Sequence, residues 1–119
     1  NHRSFDFDYC CLFCSIVERE LQRHGESLRG QAEFYALLNK VRWYSVYVCK
    51  SRSPWVGNRP FVCDLRESAG RYRDELRARY SRARMLLLEL DRYRAMRPVV
   101  VMLTTGLRWR TSLRRRLAR

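Results

Sequence analysis

Lysine, histidine, acidic residues in the second half and long apolar runs are what this 119-residue chain has least of. The longest apolar stretches, Met85–Leu88 and Val99–Leu103, are the size of a strand or one helix face, far below the ~18 residues of a membrane span, so no transmembrane segment is expected. The two histidines, His2 and His24, give no Cys/His nucleophile pair. His2 stands in an end segment, and His24 suits a helix C-terminus, where the dipole favours it. Five cysteines, odd in number and partly adjacent, make a poor secreted disulfide framework and point to an intracellular, reducing compartment. The chain begins at Asn1, reads as a fragment or processed product, and carries no legible signal peptide. There is no internal repeat and no low-complexity tract beyond Arg114–Arg116.

Arginine takes the place of lysine. The chain has 23 arginines and two lysines, Lys40 and Lys50, and a net charge of +13. The charge is lopsided: residues 66–119 hold 16 arginines, no lysine and five acids, whereas residues 1–65 carry a net charge of only +2. Codon bias in a GC-rich genome accounts for arginine over lysine but not for the net charge. A surface this cationic meets polyanions, and arginine suits bidentate phosphate contacts and stacking on bases.

The chain is the length of one domain. Phe5, Phe7 and Tyr9 alternate with polar residues like a short strand. From Cys11 to His24, Leu12, Phe13, Ile16, Val17 and Leu21 fit a buried helical face that stops at Gly25. Ser27 then caps a second helix with the stripe Phe34, Leu37, Leu38 and Val41, making residues 1–42 a helical-hairpin region. In residues 43–119, Trp43–Lys50 alternates with β-branched and aromatic content and reads as a strand. It pairs across a turn-rich loop with Phe61–Leu65. Arg66–Arg97 reads as one long helix with the stripe Ala69, Tyr72, Leu76, Tyr80, Ala83, Leu87 and Leu90, ended by Pro98; a strand over Met85–Leu90 is the competing reading. Pro98–Thr104, with Val99, Val100 and Val101 apolar on both faces, reads as a central, fully buried strand, followed by a basic C-terminal helix capped by Thr104 or Thr105. Its Trp109, Leu113 and Leu117 read as core. The whole predicts an α+β domain: a small, antiparallel or mixed three-stranded sheet packed with the helical hairpin, the long helix and the basic C-terminal helix.

Arg73, Arg77 and Arg84, in a stripe with Arg66, read as phosphate contacts on the long helix, and Arg110, Arg114 and Arg115, with Arg119, on the last one. Arg52, Arg59 and the ring of Trp55 form a hairpin tip, with Trp55 as a stacking platform for an unpaired base. The chain lacks a helix-turn-helix, homeodomain, zinc-finger or zipper signature, and equally an aromatic RNP pattern or GXXG loop. Small, motif-free, arginine-rich domains of this kind are similar to ribonucleoprotein subunits as a class. The expectation is therefore a non-enzymatic, nucleic-acid-binding subunit of a larger assembly, with structured RNA favoured over DNA and other protein subunits as partners. The alternative is docking on a protein or an anionic membrane through the basic amphipathic C-terminal helix.

Two chemical readings rank lower. Cys11 and Cys14 form a CxxC that, with Cys49 and Cys63 on paired strands, could hold a structural zinc; a Cys49–Cys63 disulfide or ordinary core thiols are the other readings, and no further cofactor is implied. A metal-dependent nuclease with acids Glu33 and Asp64 is the enzymatic outsider, but the E-x-K element of such sites is missing, and Asp64 serves equally as a helix cap.

Overall fold

A computed structural model describes residues 6–50, 53–80 and 82–118. Among these residues the fold is all-helical, which replaces the expected three-stranded sheet. Six α-helices follow one another: α1 (Phe7–Arg23), α2 (Ala32–Val48), α3 (Pro60–Arg71), α4 (Arg73–Arg79), α5 (Arg82–Leu90) and α6 (Arg97–Leu117), with a 3-10 turn over Arg94–Met96.

At the N-terminus the strand reading of residues 4–9 gives way to a capped helix, with residues 4 and 5 outside the described set. Asp6 accepts a hydrogen bond from the Tyr9 amide at 2.6 Å, and Asp8 sits in the first turn, where the helix dipole favours an acid. The buried face of α1 is Phe7, Cys10 and Cys14 rather than the expected one; Leu12 and Ile16 point to solvent. Ser27 is not the cap of α2. Its hydroxyl donates to the His24 carbonyl at 2.8 Å and tightens the turn, and Gln31 stands at the N-cap.

The α2 helix runs straight through the segment that alternates like a strand. Leu37, Val41, Tyr44 and Val48 recur at four-, three- and four-residue steps and are all buried, so the helical period wins over β-branched content. Antiparallel packing against α1 is fixed by Phe7 on Tyr47 (5.4 Å between ring centroids), Phe13 on Trp43 (5.0 Å) and a Lys40–Glu18 ion pair of 2.9 Å. With α3 and α6 also in contact, α2 is the central helix.

The expected helix over Arg66–Arg97 is broken three times: at Tyr72, at Tyr80, where the backbone turns extended (φ −124°, ψ 145°), and after Leu90, where residues 91–93 form a turn. A straight 32-residue helix would measure about 48 Å. That exceeds the longest dimension of the molecule, 40 Å. Folding back lets Leu65, Ala69, Leu76, Leu87 and Leu88 share one core with α2. Residues 85–90 are helical, within α5, and Phe61–Leu65 belongs to α3, with Pro60 at its first position. Pro98 does not end a helix but lies in the first turn of α6, where its missing N–H has no cost. The expected strand over 98–104 is therefore helical; Val100 and Thr104 are buried while Met102 and Leu103 are exposed, and the candidate caps Thr104 and Thr105 are interior helix residues.

Loop 53–59 is held against the turn after α5 by a cluster of polar contacts. The Trp55 indole N–H donates to the Asp91 carbonyl at 2.7 Å. Arg97 donates to the Pro54 carbonyl at 3.1 Å and lies 3.4 Å from the Asp91 carboxylate; Asp91 is fully buried and Arg97 nearly so. The Tyr47 hydroxyl donates to the same Pro54 carbonyl at 2.9 Å, Ser53 donates to the Tyr47 carbonyl, and Arg66 donates to the Gly57 carbonyl at 2.8 Å. Gly57 sits where no side chain fits: a Cβ there would lie 2.0 Å from the Asp91 carbonyl oxygen and 2.6 Å from the Trp55 indole nitrogen.

Gly57→Ala should destabilise the protein by about 3 kcal/mol or more, because backbone rather than a flexible side chain must move. Gly106→Ala, in a helix with nothing within 4 Å of the new methyl, should instead stabilise by up to about 1 kcal/mol. Urea denaturation of both variants checks the pair.

Burial pushes the Asp91 carboxyl up from 3.8 to about 6, against the opposing pull of Arg97. The native state then binds a proton that the unfolded chain has released, so the Asp91 contribution to stability is largest below pH 4 and falls as pH rises to 6. The loss is on the order of 3 kcal/mol. In denaturation curves from pH 4 to 7, the stability difference between wild type and Asp91→Asn should carry this slope, and a pH-independent difference would contradict it.

Candidate nucleic-acid interface

Three helices bring arginines from distant parts of the chain around one open cleft. From α2 come Arg42, Ser45 and Val46, at three- and four-residue spacing and so on one face. From α6 come Arg108, Thr111, Ser112 and Arg115, again i, i+3, i+4 and i+7. Tyr80 and Arg84 complete it at the α4–α5 junction, with the Arg84 guanidinium over the Tyr80 ring at 5.6 Å, within cation–π range. The cleft measures about 620 Å³, and no acidic residue lines it.

A second cleft of about 420 Å³ lies on the other side of α5, between α3, α4 and α5. Arg66, Arg73, Arg77 and Arg82 rim it over an apolar floor that includes Ala69, Met85 and Leu88, with Glu89 as its one acid. The expected stripe along a single helix is thus divided. Arg73 and Arg77 stay together in this cleft, and Arg84, by the break at Tyr80, turns to the first one beside Arg115.

The remaining sequence candidates lie elsewhere. Arg110 and Arg114 are exposed on α6 outside both clefts. Arg59 is engaged in the fold: it pairs with Asp8 at 3.2 Å and covers the Phe7 ring at 5.0 Å. Trp55 is not an exposed ring on a hairpin tip; it is half-buried, and its N–H ties the loop to Asp91. Arg52 and Arg119 lie outside the described residues. Sequence reasoning missed Arg42 and Arg108. The i, i+3, i+4, i+7 pattern of Arg108, Thr111, Ser112 and Arg115 was available to find the second. Arg42 stands at the very end of the helical-hairpin region, next to the residues that read as a strand and apart from the arginines of the second half.

The cysteines form no metal centre, since no group of three or more His, Cys, Asp or Glu among the described residues is placed to hold an ion. With no strands to bring them together, Cys49 and Cys63 are both free, as are Cys10, Cys11 and Cys14. Burial pushes the Cys14 thiol up to about 12, with neighbouring Cys10 and Cys11 adding to the shift, and Asn39 donates to its sulfur at 3.7 Å. Burial likewise raises Cys10 and Cys11. Of the two acids of the nuclease reading, only Glu33 is engaged elsewhere. Glu33 lies 3.5 Å from Arg71 and accepts from the Tyr72 hydroxyl, which raises the Tyr72 pKa; Asp64 is exposed inside α3 and caps nothing.

Thiol labelling at neutral pH should therefore modify exposed Cys63 rapidly and leave Cys10 and Cys14 untouched until denaturant is added, as mass spectrometry of the labelled peptides would record. No helix among the described residues is long and apolar enough to cross a membrane. Comparison of the chain with protein-family models, with curated proteins and with solved structures found no match.

Proposed function

We propose that this chain is a non-enzymatic RNA-binding subunit of a larger assembly, gripping phosphates in the cleft between α2, α5 and α6. The observation that carries the reading is the convergence of Arg42, Arg84, Arg108 and Arg115 on one cleft without an acid, in a chain of net charge +13. Like charges gathered from three helices repel one another, and a phosphate backbone is the ligand that relieves this repulsion at several points at once. The Ser45 and Thr111 hydroxyls donate to the Val41 and Leu107 carbonyls and keep lone pairs that can accept from a ribose 2′-OH, a group that DNA lacks, and Ser112 adds a hydroxyl able to donate to phosphate. Structured RNA also sets phosphates from two strands close together, which suits an open cleft walled by helices. The arginines of the second cleft extend the cationic surface across α5.

A second reading, docking through α6, is favoured by the exposure of Trp109, Leu113 and Leu117.

The test of the RNA reading is fluorescence anisotropy with an RNA hairpin and a DNA duplex of equal length over a range of salt. Log affinity for RNA should fall steeply with log salt, and Arg108→Gln with Arg115→Gln should lower that slope by about 2. Both side chains are exposed, so the fold should survive the change. A flat salt response, or an unchanged slope in the double variant, removes the cleft from consideration.

A further inference from the structure

The α6 helix has two different faces. Its first half reaches the core through Val100, Thr104 and Leu107, while every described residue from 108 to 118 is exposed. Met102, Trp109, Leu113 and Leu117, separated by seven, four and four residues, fall on one side of the helix, away from the core contacts. They are 66%, 69%, 50% and 85% exposed, an unusual state for four large apolar side chains in a row. Helical spacing puts Arg110 and Arg114 along one edge of this stripe and Arg116 along the other. From Arg97 to Arg119 there is no acidic residue.

We propose that this apolar stripe of α6 docks on an anionic lipid surface, the helix lying in the plane of the interface. The proposal rests on the docking reading and gives it a partner. Charge complementarity selects the occupant. A second copy of the chain would set two rows of arginine against each other with no acid in either helix to offset them. RNA presents phosphates, which satisfy the arginines but cannot cover the Leu and Met side chains. A bilayer interface meets all the groups together: acyl chains take Leu113, Leu117 and Met102, the indole of Trp109 sits at headgroup depth, and arginines on both edges reach lipid phosphates with their stems laid along the apolar face. The stripe runs about 22 Å along a single helix, and only its middle, Trp109 and Leu113, borders a cleft, one of about 320 Å³ shared with Cys49, Thr105 and Arg116. Arg115 lies on the opposite side of α6 from the stripe, while Arg108 and Ser112 stand between the two, lining both the arginine cleft and the smaller one beside Trp109 and Leu113.

The experiment is cosedimentation of the full chain, free of RNA, with phosphatidylcholine vesicles with and without about one-third phosphatidylserine. The variant replaces Trp109, Leu113 and Leu117 together by Ser, all three being exposed in the fold. Binding should require phosphatidylserine and should fall at least roughly tenfold in the triple variant. The same variant should retain the wild-type salt slope for RNA, so failure of the lipid proposal and failure of the RNA reading show up in different measurements. Equal binding to uncharged vesicles overturns the proposal, as does undiminished binding of the triple variant, which would leave the arginines alone responsible. Sedimentation velocity supplies the remaining arm: a wild-type dimer that the triple variant dissociates would show that a second copy covers the stripe. Saturable binding to an acidic amphipathic peptide, with no binding to anionic vesicles, would assign the stripe to a protein partner instead.

Discussion

The buried Asp91–Arg97 pair governs the geometry of everything C-terminal to α5. Asp91 closes the turn after α5, and Arg97 opens α6, so the ion pair between them sets how sharply the chain reverses. Both residues also reach loop 53–59, Arg97 by a side-chain bond to Pro54 and Asp91 by its carbonyl to Trp55. A pair like this adds little stability compared with a well-packed apolar pair, because desolvating two charges offsets most of their attraction. Removing one partner is another matter, since the other is then left charged and buried. The junction is therefore better understood as a constraint on direction than as a source of stability. It aims α6 back across α2, and that aim puts Arg108 and Arg115 opposite Arg42.

The distribution of acids complements that arrangement. Among the described residues, ion pairs join Glu20 to Arg23, Glu18 to Lys40, Asp8 to Arg59, Glu33 to Arg71, Glu89 to Arg92 and Asp91 to Arg97, and Arg42, Arg108 and Arg115 take part in none. Most of these pairs are solvent-exposed and each contributes at most a fraction of a kcal/mol, so their energetic role is small. Their placement still matters, because none of these acids lines the cationic cleft.

The helices at the two ends were legible in the sequence in part, and the sheet was misread for identifiable reasons. Cys11–His24 has a helical period and Gly25 stands just past its end, so the element was readable, but its buried face was not. Leu12 and Ile16 are as apolar as Phe7 and Cys10, and only the position of α2 decides which set is covered. Tyr44, Val46 and Val48 alternate as well as any strand does; the competing pattern Leu37, Val41, Tyr44, Val48 extends beyond the window in which the alternation is seen. Three consecutive valines at 99–101 carry strand propensity that Pro98, pre-set for a helix start, and the packing of Val100 outweigh. Of the breaks at Tyr72 and Tyr80, the first has Gly70 two residues before it, and the second has no glycine or proline nearby to announce it. They follow from the need of short segments to reach a shared core, a tertiary cause that no local pattern records. The arginine spacing survived these errors because it is helical in either reading, whereas the companions of each arginine changed.

The same charge that makes the C-terminal half of α6 attractive to polyanions also makes it marginal on its own. Residues 108–118 form about three turns without core contacts, near the lower limit for a stable isolated helix. Arg110 and Arg114 repel at i, i+4, whereas Arg114, Arg115 and Arg116 in the last turn are favoured by the helix dipole. These opposing effects are each a few tenths of a kcal/mol, so the balance is set by whatever occupies the two faces. An anion on the arginine side removes repulsion, and an apolar surface on the Trp109 side gives the helix the packing that its own domain does not. By linkage, either ligand stabilises the helical segment to the extent that it binds the helix better than the frayed chain. On the proposed readings, binding at one face would lower the ordering cost of binding at the other, coupling the cleft and the stripe through the order of a single helix without any movement of the core.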